Sequence, residues 1–200
     1  MLPRVEGSTL LSKQYYRVLI NSKGPILFTA PHGVDVLRPN NPKHYAEKNT
    51  TESATLLQQT IGDELGSYLT WNPARCRSGE PCNLDPNYLT LRNFADSPWH
   101  VELEKHKSKH THPFHVDLHG CKKPKPGKPI TLHIGLLPLE ELWEDEKFSA
   151  QVAQVSEKHF NKLLAPKGWI ATTDTYFSGM WAQTNHTMTH QAVMLGKVYL

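Results

Sequence analysis

Short apolar, β-branched runs alternate along this chain with segments of helical period, and that alternation is its strongest constraint on fold. Tyr15–Ile20, Pro25–Ala30, Ser67–Trp71, Phe114–Leu118, Ile130–Leu136 and Ala192–Leu200 read as strands. Between them, Ala54, Leu57, Ile61 and Leu65 recur three to four residues apart, the stripe of a core-facing helix. Thr50 or Thr51 can cap its start and Gly66 can end it. Ser97-Pro98 reads as an N-cap followed by Pro at the first helical position, opening the helix WHVELEKHKSKH. A third helix is expected from about Phe148 to Leu164, ahead of Pro166-Lys167-Gly168. Strands alternating with helices predict an α/β fold, a single domain over residues 1–200 with a mixed, mostly parallel sheet flanked by helices. Ligands of such sheets gather at the carboxyl ends of the strands, so residues just after strands matter most.

Length and composition narrow the function classes. Two hundred residues with 38% hydrophobic content suit one soluble core. No apolar run approaches the ~18–20 residues of a membrane helix. The opening MLPRVEGSTLLSKQYY lacks the pattern of a secretory signal. An odd set of three cysteines, Cys76, Cys82 and Cys121, then favours reduced thiols and a cytoplasmic setting. A net charge of +3 is too weak a basic bias to imply nucleic acid, and KKPKPGKP (Lys122–Pro129) reads as a solvated loop. The partner expected is a small molecule or a peptide-like substrate.

Twelve histidines are the unusual entry in the composition. Most, including His44, His106, His110, His112 and His159, read as surface groups that make the charge pH-sensitive. Two stand apart by position. His32 follows Ile26–Ala30 in the turn Pro31-His32-Gly33, and His119 follows Phe114–Leu118 and precedes Gly120. Glycine in each turn lets the chain bend sharply and leaves the imidazole unobstructed. Two neighbouring strands ending in His would set two nitrogen ligands on one rim. A catalytic zinc site commonly takes two His, one carboxylate and an open position. Asp35, in a His-x-x-Asp spacing with His32, and Glu52, in the first turn of the following helix, are the candidate carboxylates. Asp117 is placed to orient a metal histidine through its second nitrogen.

The ordered segments PILFTAPHGV, TTESATLLQQTIGDEL, LDPNYL, FHVDLHG and ITLHIGL resemble the motifs of N-formylglutamate amidohydrolases, relatives of the zinc carboxypeptidases and of aspartoacylase. The likeness spans about Pro25 to Leu137. It implies a zinc-carboxypeptidase-like fold and a zinc-dependent amidohydrolase acting on an N-acyl amino acid or small peptide-like amide. By this resemblance His32 and His119 match the metal histidines, and Glu52 matches the carboxylate ligand better than Asp35. Asp85-Pro86-Asn87-Tyr88 is similar to the family's Asp-Leu-Asn-Arg, with Asn87 matched as a substrate contact. Tyr88 stands where the family has Arg, leaving Arg92 or Arg75 to meet a substrate carboxylate.

Metal-assisted amide hydrolysis also needs a group that takes a proton from water and returns it to the leaving nitrogen. In the relatives this is an acidic residue ending the last strand, and Ala192–Leu200 carries none. His133, in the alternating strand Thr131–Ile134, is the candidate to assist as proton shuttle or oxyanion donor. Either the acid follows Leu200 in a longer chain, or the protein is a catalytically silent relative that binds metal or a small acidic ligand.

Overall fold

The computed structural model describes residues 18–38, 41–72, 84–111, 113–120, 126–136, 146–173 and 187–195. In place of one continuous sheet, the chain groups into two compact units, one of Met1–Gly120 with Ala182–Leu200 and one of Cys121–Trp181. The elements are α/β, and the larger sheet is mixed.

In the first unit, strands β1 (Val18–Asn21), β2 (Ile26–Ala30), β5 (Gly66–Trp71) and β6 (Phe114–Asp117) form a sheet of order β1-β5-β2-β6. β1 runs antiparallel to β5, and the remaining pairs are parallel. A hairpin of β3 (Val36–Arg38) and β4 (Asn41–His44) leaves the end of β2. β2 reads as a continuous apolar run because it is central and buried on both faces. Leu27 joins Val36, Leu69, Trp71, Trp99, Leu103 and Met188 on one side, while Phe28 and Ala30 meet Ala54 on the other. Trp71 donates its indole N–H to Pro31 O at 2.7 Å, fixing the turn that carries His32.

Helix α1 (Thr50–Ile61) starts from Asn49, which takes a left-handed φ of 67°, and ends at Gly62. Its buried line is Thr50, Ala54 and Gln58; of the expected stripe Ala54 and Ile61 face the core, while Leu57 is 39% and Leu65 52% exposed. Small side chains at Thr50 and Ala54 let the helix lie close to the sheet. Gly66 opens β5 instead of ending the helix, and a Cβ there would meet Gln58 Cα at 3.1 Å. Helix α2 (Pro98–Lys109) begins as the Ser-Pro pair predicts. Its histidines are not a solvated face, however. His106 is fully buried and donates Nε2–H to Gly24 O at 2.9 Å, and His100 stacks on Phe94 with ring centroids 4.0 Å apart. His159 is exposed as expected, and His112 lies outside the described residues.

The expected last strand is also revised. Met188–Met194 form helix α4, because Thr187 caps it by accepting His190 N–H and Asn87 Oδ1 accepts Met188 N–H at 2.5 Å. Residues 196–200 lie outside the described set. In the second unit, β7 (Ile130–Ile134) pairs in parallel with β8 (Trp169–Thr173), and α3 (Glu146–Leu164) packs on β8. Asn161 clasps Ala171 through both its N–H and its carbonyl, at 2.7 and 2.9 Å. β8 runs through Thr172-Thr173. Among the described residues no helix is long and apolar enough to cross a membrane.

Candidate metal centre

The parallel register of β2 and β6, Ile26 opposite Phe114 and Thr29 opposite Asp117, sets their carboxyl ends level. His32 and His119 therefore emerge on one rim, as the two His-Gly turns predict, with ring centroids 4.8 Å apart. Neither glycine takes a left-handed conformation. What each supplies is room: a Cβ on Gly33 would lie 2.0 Å from Thr51 Oγ1, and one on Gly120 3.0 Å from Glu47 Cβ.

Glu47 is the centre of the arrangement. Its N–H donates to His32 O at 2.8 Å, folding the segment after β4 back over the β2 turn. Its Oε1 lies 3.0 Å from His32 Nδ1 and 3.2 Å from His44 Nε2. Its Oε2 accepts Gly120 N–H at 2.7 Å and lies 3.3 Å from His119 Nδ1. Three imidazole nitrogens thus converge on one carboxylate. Donor atoms of His32, His44 and Glu47 all lie within 4.8 Å of one another, a group that could hold a metal ion.

Two of these rings are backed by a carboxylate on their far side. His32 Nε2 meets Asp85 Oδ1 at 2.9 Å, and Asp85 also accepts from Arg38 Nε at 2.7 Å and Asn87 N at 2.9 Å. His119 Nε2 meets Asp117 Oδ2 at 2.9 Å. Such pairs fix ring orientation and direct the opposite nitrogen toward an ion. Asn87 turns its Oδ1 to Met188 N–H, which leaves Nδ2 beside His119 Nε2 at 3.1 Å. The Arg38 guanidinium lies over the Tyr88 ring, 4.3 Å from its centroid.

Protons on the histidines bind the cluster's carboxylates. Burial works against charge on His32, but its bonds to Asp85 and Glu47 outweigh it and raise its pKa above the usual histidine value. His119 is raised to about 10, because Asp117 and Glu47 overcome the cost of its desolvation. Glu47, Asp85 and Asp117 are held below the usual carboxylate range, burial being outweighed in each by bonds or charge from the histidines. His44 moves the other way, lowered by burial and by the His32 charge, and is ready as a neutral ligand.

Of the residues singled out from sequence, His32, His119, Asn87 and Asp117 are brought together. Glu52 is not among them: it is exposed on the first turn of α1, and Glu47 occupies the place expected of it. Asp35 instead braces the hairpin, accepting Ala46 N–H at 2.7 Å and pairing with Lys43 at 2.5 Å. Arg92 is exposed on the 3-10 turn Leu91–Asn93. His133 sits on β7 in the second unit, opposite Thr172, and Arg75 lies outside the described residues. Sequence reasoning missed Glu47 and Arg38, and it read His44 as a surface group. The signal for Glu47 and His44 was present as the spacing His44-x-x-Glu47. Comparison with family models, with curated proteins and with solved structures finds no match for this chain.

Proposed function

We propose that this chain is a metal-dependent amidohydrolase that cleaves the amide bond of an N-acyl amino acid or small peptide-like substrate. The single observation that carries the reading is the convergence of His32, His44 and Glu47 donors beside a buried Asp85 that orients His32. Two histidines and one carboxylate are the donor set of catalytic zinc sites, which leave one position open. The ordered motifs resembling N-formylglutamate amidohydrolases support the same chemistry and a carboxypeptidase-like fold. A divalent ion there would supply a Lewis acid for the substrate carbonyl and acidify water to a pKa of ~7.

The chain's own residues supply the rest. His32, His44 and Glu47 would hold the ion. His119 is 39% exposed at its side chain, lies between Glu47 and Asp117 and is held charged by them, which suits it to steady the developing oxyanion and give a proton to the leaving nitrogen. It thereby supplies the proton-donating half of the role that a strand-end acid plays in the relatives.

Elemental analysis and zinc titration of wild type, His32→Ala, His44→Ala and Glu47→Gln test the site. Near-stoichiometric zinc surviving in His32→Ala and Glu47→Gln sinks the proposal. Amine release from N-formyl and N-acetyl amino acids tests the reaction, and stoichiometric zinc without turnover marks a metal-binding protein instead. Arg92→Ala and His133→Ala, assayed for KM and kcat separately, test the substrate and assisting roles that the motifs suggest.

A further inference from the structure

Behind His119 the structure carries a hydrogen-bonded chain that the reaction does not itself use. Thr29 Oγ1, on the central strand and fully buried, lies 2.5 Å from Asp117 Oδ1 and 2.9 Å from His115 Nε2. The proton order along this chain is forced by donor and acceptor capacity. A carboxylate only accepts, so the single hydroxyl proton of Thr29 goes to Asp117. Thr29 then has only lone pairs to offer His115, whose Nε2 must donate. Asp117 Oδ1 being occupied, Oδ2 is turned to His119 and accepts its Nε2–H at 2.9 Å, so the Asn87 Nδ2 that lies 3.1 Å from the same nitrogen does not donate to it. The order runs His115 to Thr29 to Asp117 from one side and His119 to Asp117 from the other.

We propose that Thr29 and His115 are positioning residues, which lock the Asp117 carboxylate so that His119 carries a proton on Nε2 and keeps Nδ1 aimed at Glu47. Their place at the floor of the sheet fits this role. Thr29 and Asp117 are register partners on β2 and β6, and His115 lies two residues along β6 on the same face. Replacing Thr29 by the isosteric Val keeps the shape and removes the one donor that Oδ1 has from this strand. Asp117 then loses the bond that sets its rotation, and His119 loses a fixed partner. General acid–base assistance is typically worth ~10²–10⁴-fold, so loosening the histidine that provides it should lower turnover by at least ~10-fold.

The role of His119 in turnover rests on the function proposed above, so the first readout is made on metal-free protein. Side-chain NMR of wild type should show a downfield His119 Nε2 proton, bonded to Asp117. Thr29→Val should shift or broaden that signal, and Thr29→Ser, which keeps the hydroxyl, should restore it. His115→Phe should move it in the same direction by less, and it takes the place of Thr29→Val should that variant not fold. A folded Thr29→Val or His115→Phe with unchanged His119 ring signals overturns the proposal. In the zinc-loaded protein, Thr29→Val should lower kcat at least ~10-fold with KM unchanged, and Thr29→Ser should stay within about threefold of wild type. Shifted ring signals without any zinc binding would leave the positioning role standing and remove the hydrolase.

Discussion

Glu47→Gln removes the one negative charge that three imidazoles share, while keeping the side chain's size. In the metal-free protein His32 and His119 both have raised pKa values, and their rings are 4.8 Å apart. Two unit charges at that distance repel by about 3 kcal/mol at an effective dielectric of ~20. With a neutral residue between them, one histidine gives up its proton. The loss then comprises the bond from buried His32 to Glu47, a charge-assisted contact of about 1.5–3 kcal/mol. The His119 contact adds less than about 1 kcal/mol, because that ring is partly exposed and screened. Urea unfolding of metal-free protein at pH 7 should therefore show Glu47→Gln less stable by about 2–4 kcal/mol. The sign with pH follows from the depressed pKa of Glu47. Its contribution is complete above the unfolded value of 4.5 and is lost as pH falls toward the lower folded value. The gap between the two proteins should therefore be full between about pH 5 and 6.5, narrow by pH 3, and shrink again at higher pH as the raised His32 and His119 pKa values are passed. A gap below about 0.5 kcal/mol at pH 7, or one that does not narrow in acid, refutes the reasoning, since surface substitutions stay within that range.

His106 provides a second acid-sensitive group away from the cluster. Burial lowers its pKa to about 4 from 6.5, so the unfolded chain binds its proton first and stability is lost as pH falls from 6.5 to 4. Wild type should lose about 3 kcal/mol more than His106→Gln across that window, at 1.4 kcal/mol per unit, and parallel unfolding curves would count against it. Gly33→Ala drives a methyl against Thr51 Oγ1 and should cost about 1–3 kcal/mol. Most of that should return in the Gly33→Ala/Thr51→Ala double variant, and additivity of the two changes would falsify the steric account. An ion bound by His32 Nδ1 displaces the proton now shared with Glu47, so zinc binding at pH 6–7 should release about one proton. Calorimetry in buffers of different ionisation enthalpy measures it, and a heat independent of buffer argues for another ligand set.

The legible part of the site was the part built by strands. His32 and His119 could be placed on one rim because each follows an apolar run and precedes glycine, and a parallel register sets such ends level. Asp117 followed from the same local pattern, whereas Asn87 came from the likeness of Asp85-Pro86-Asn87-Tyr88 to a family motif. The illegible part was built by return paths. Glu47 reaches the site because its backbone N–H binds His32 O, a contact between residues with no shared period. His44 comes in on the hairpin β3–β4, which its sequence, with Pro42 and little apolar alternation, does not announce. Glu52 was the natural choice from position alone, but the first turn of α1 faces it outward once Thr50 and Ala54 take the sheet side.

By itself, the sequence determined the alternation of strands and helices, the α/β class and the two histidine-glycine turns. These depend on local period and turn chemistry, which neighbouring residues settle among themselves. Tertiary structure alone decided which carboxylate meets those histidines, which of the remaining histidines are buried, and that Met188–Met194 is a helix and not a strand. Those outcomes depend on which distant donor finds which acceptor when the chain closes. His106 goes inside because Gly24 O takes its N–H, and Glu47 gathers the cluster because three imidazoles can share its two oxygens.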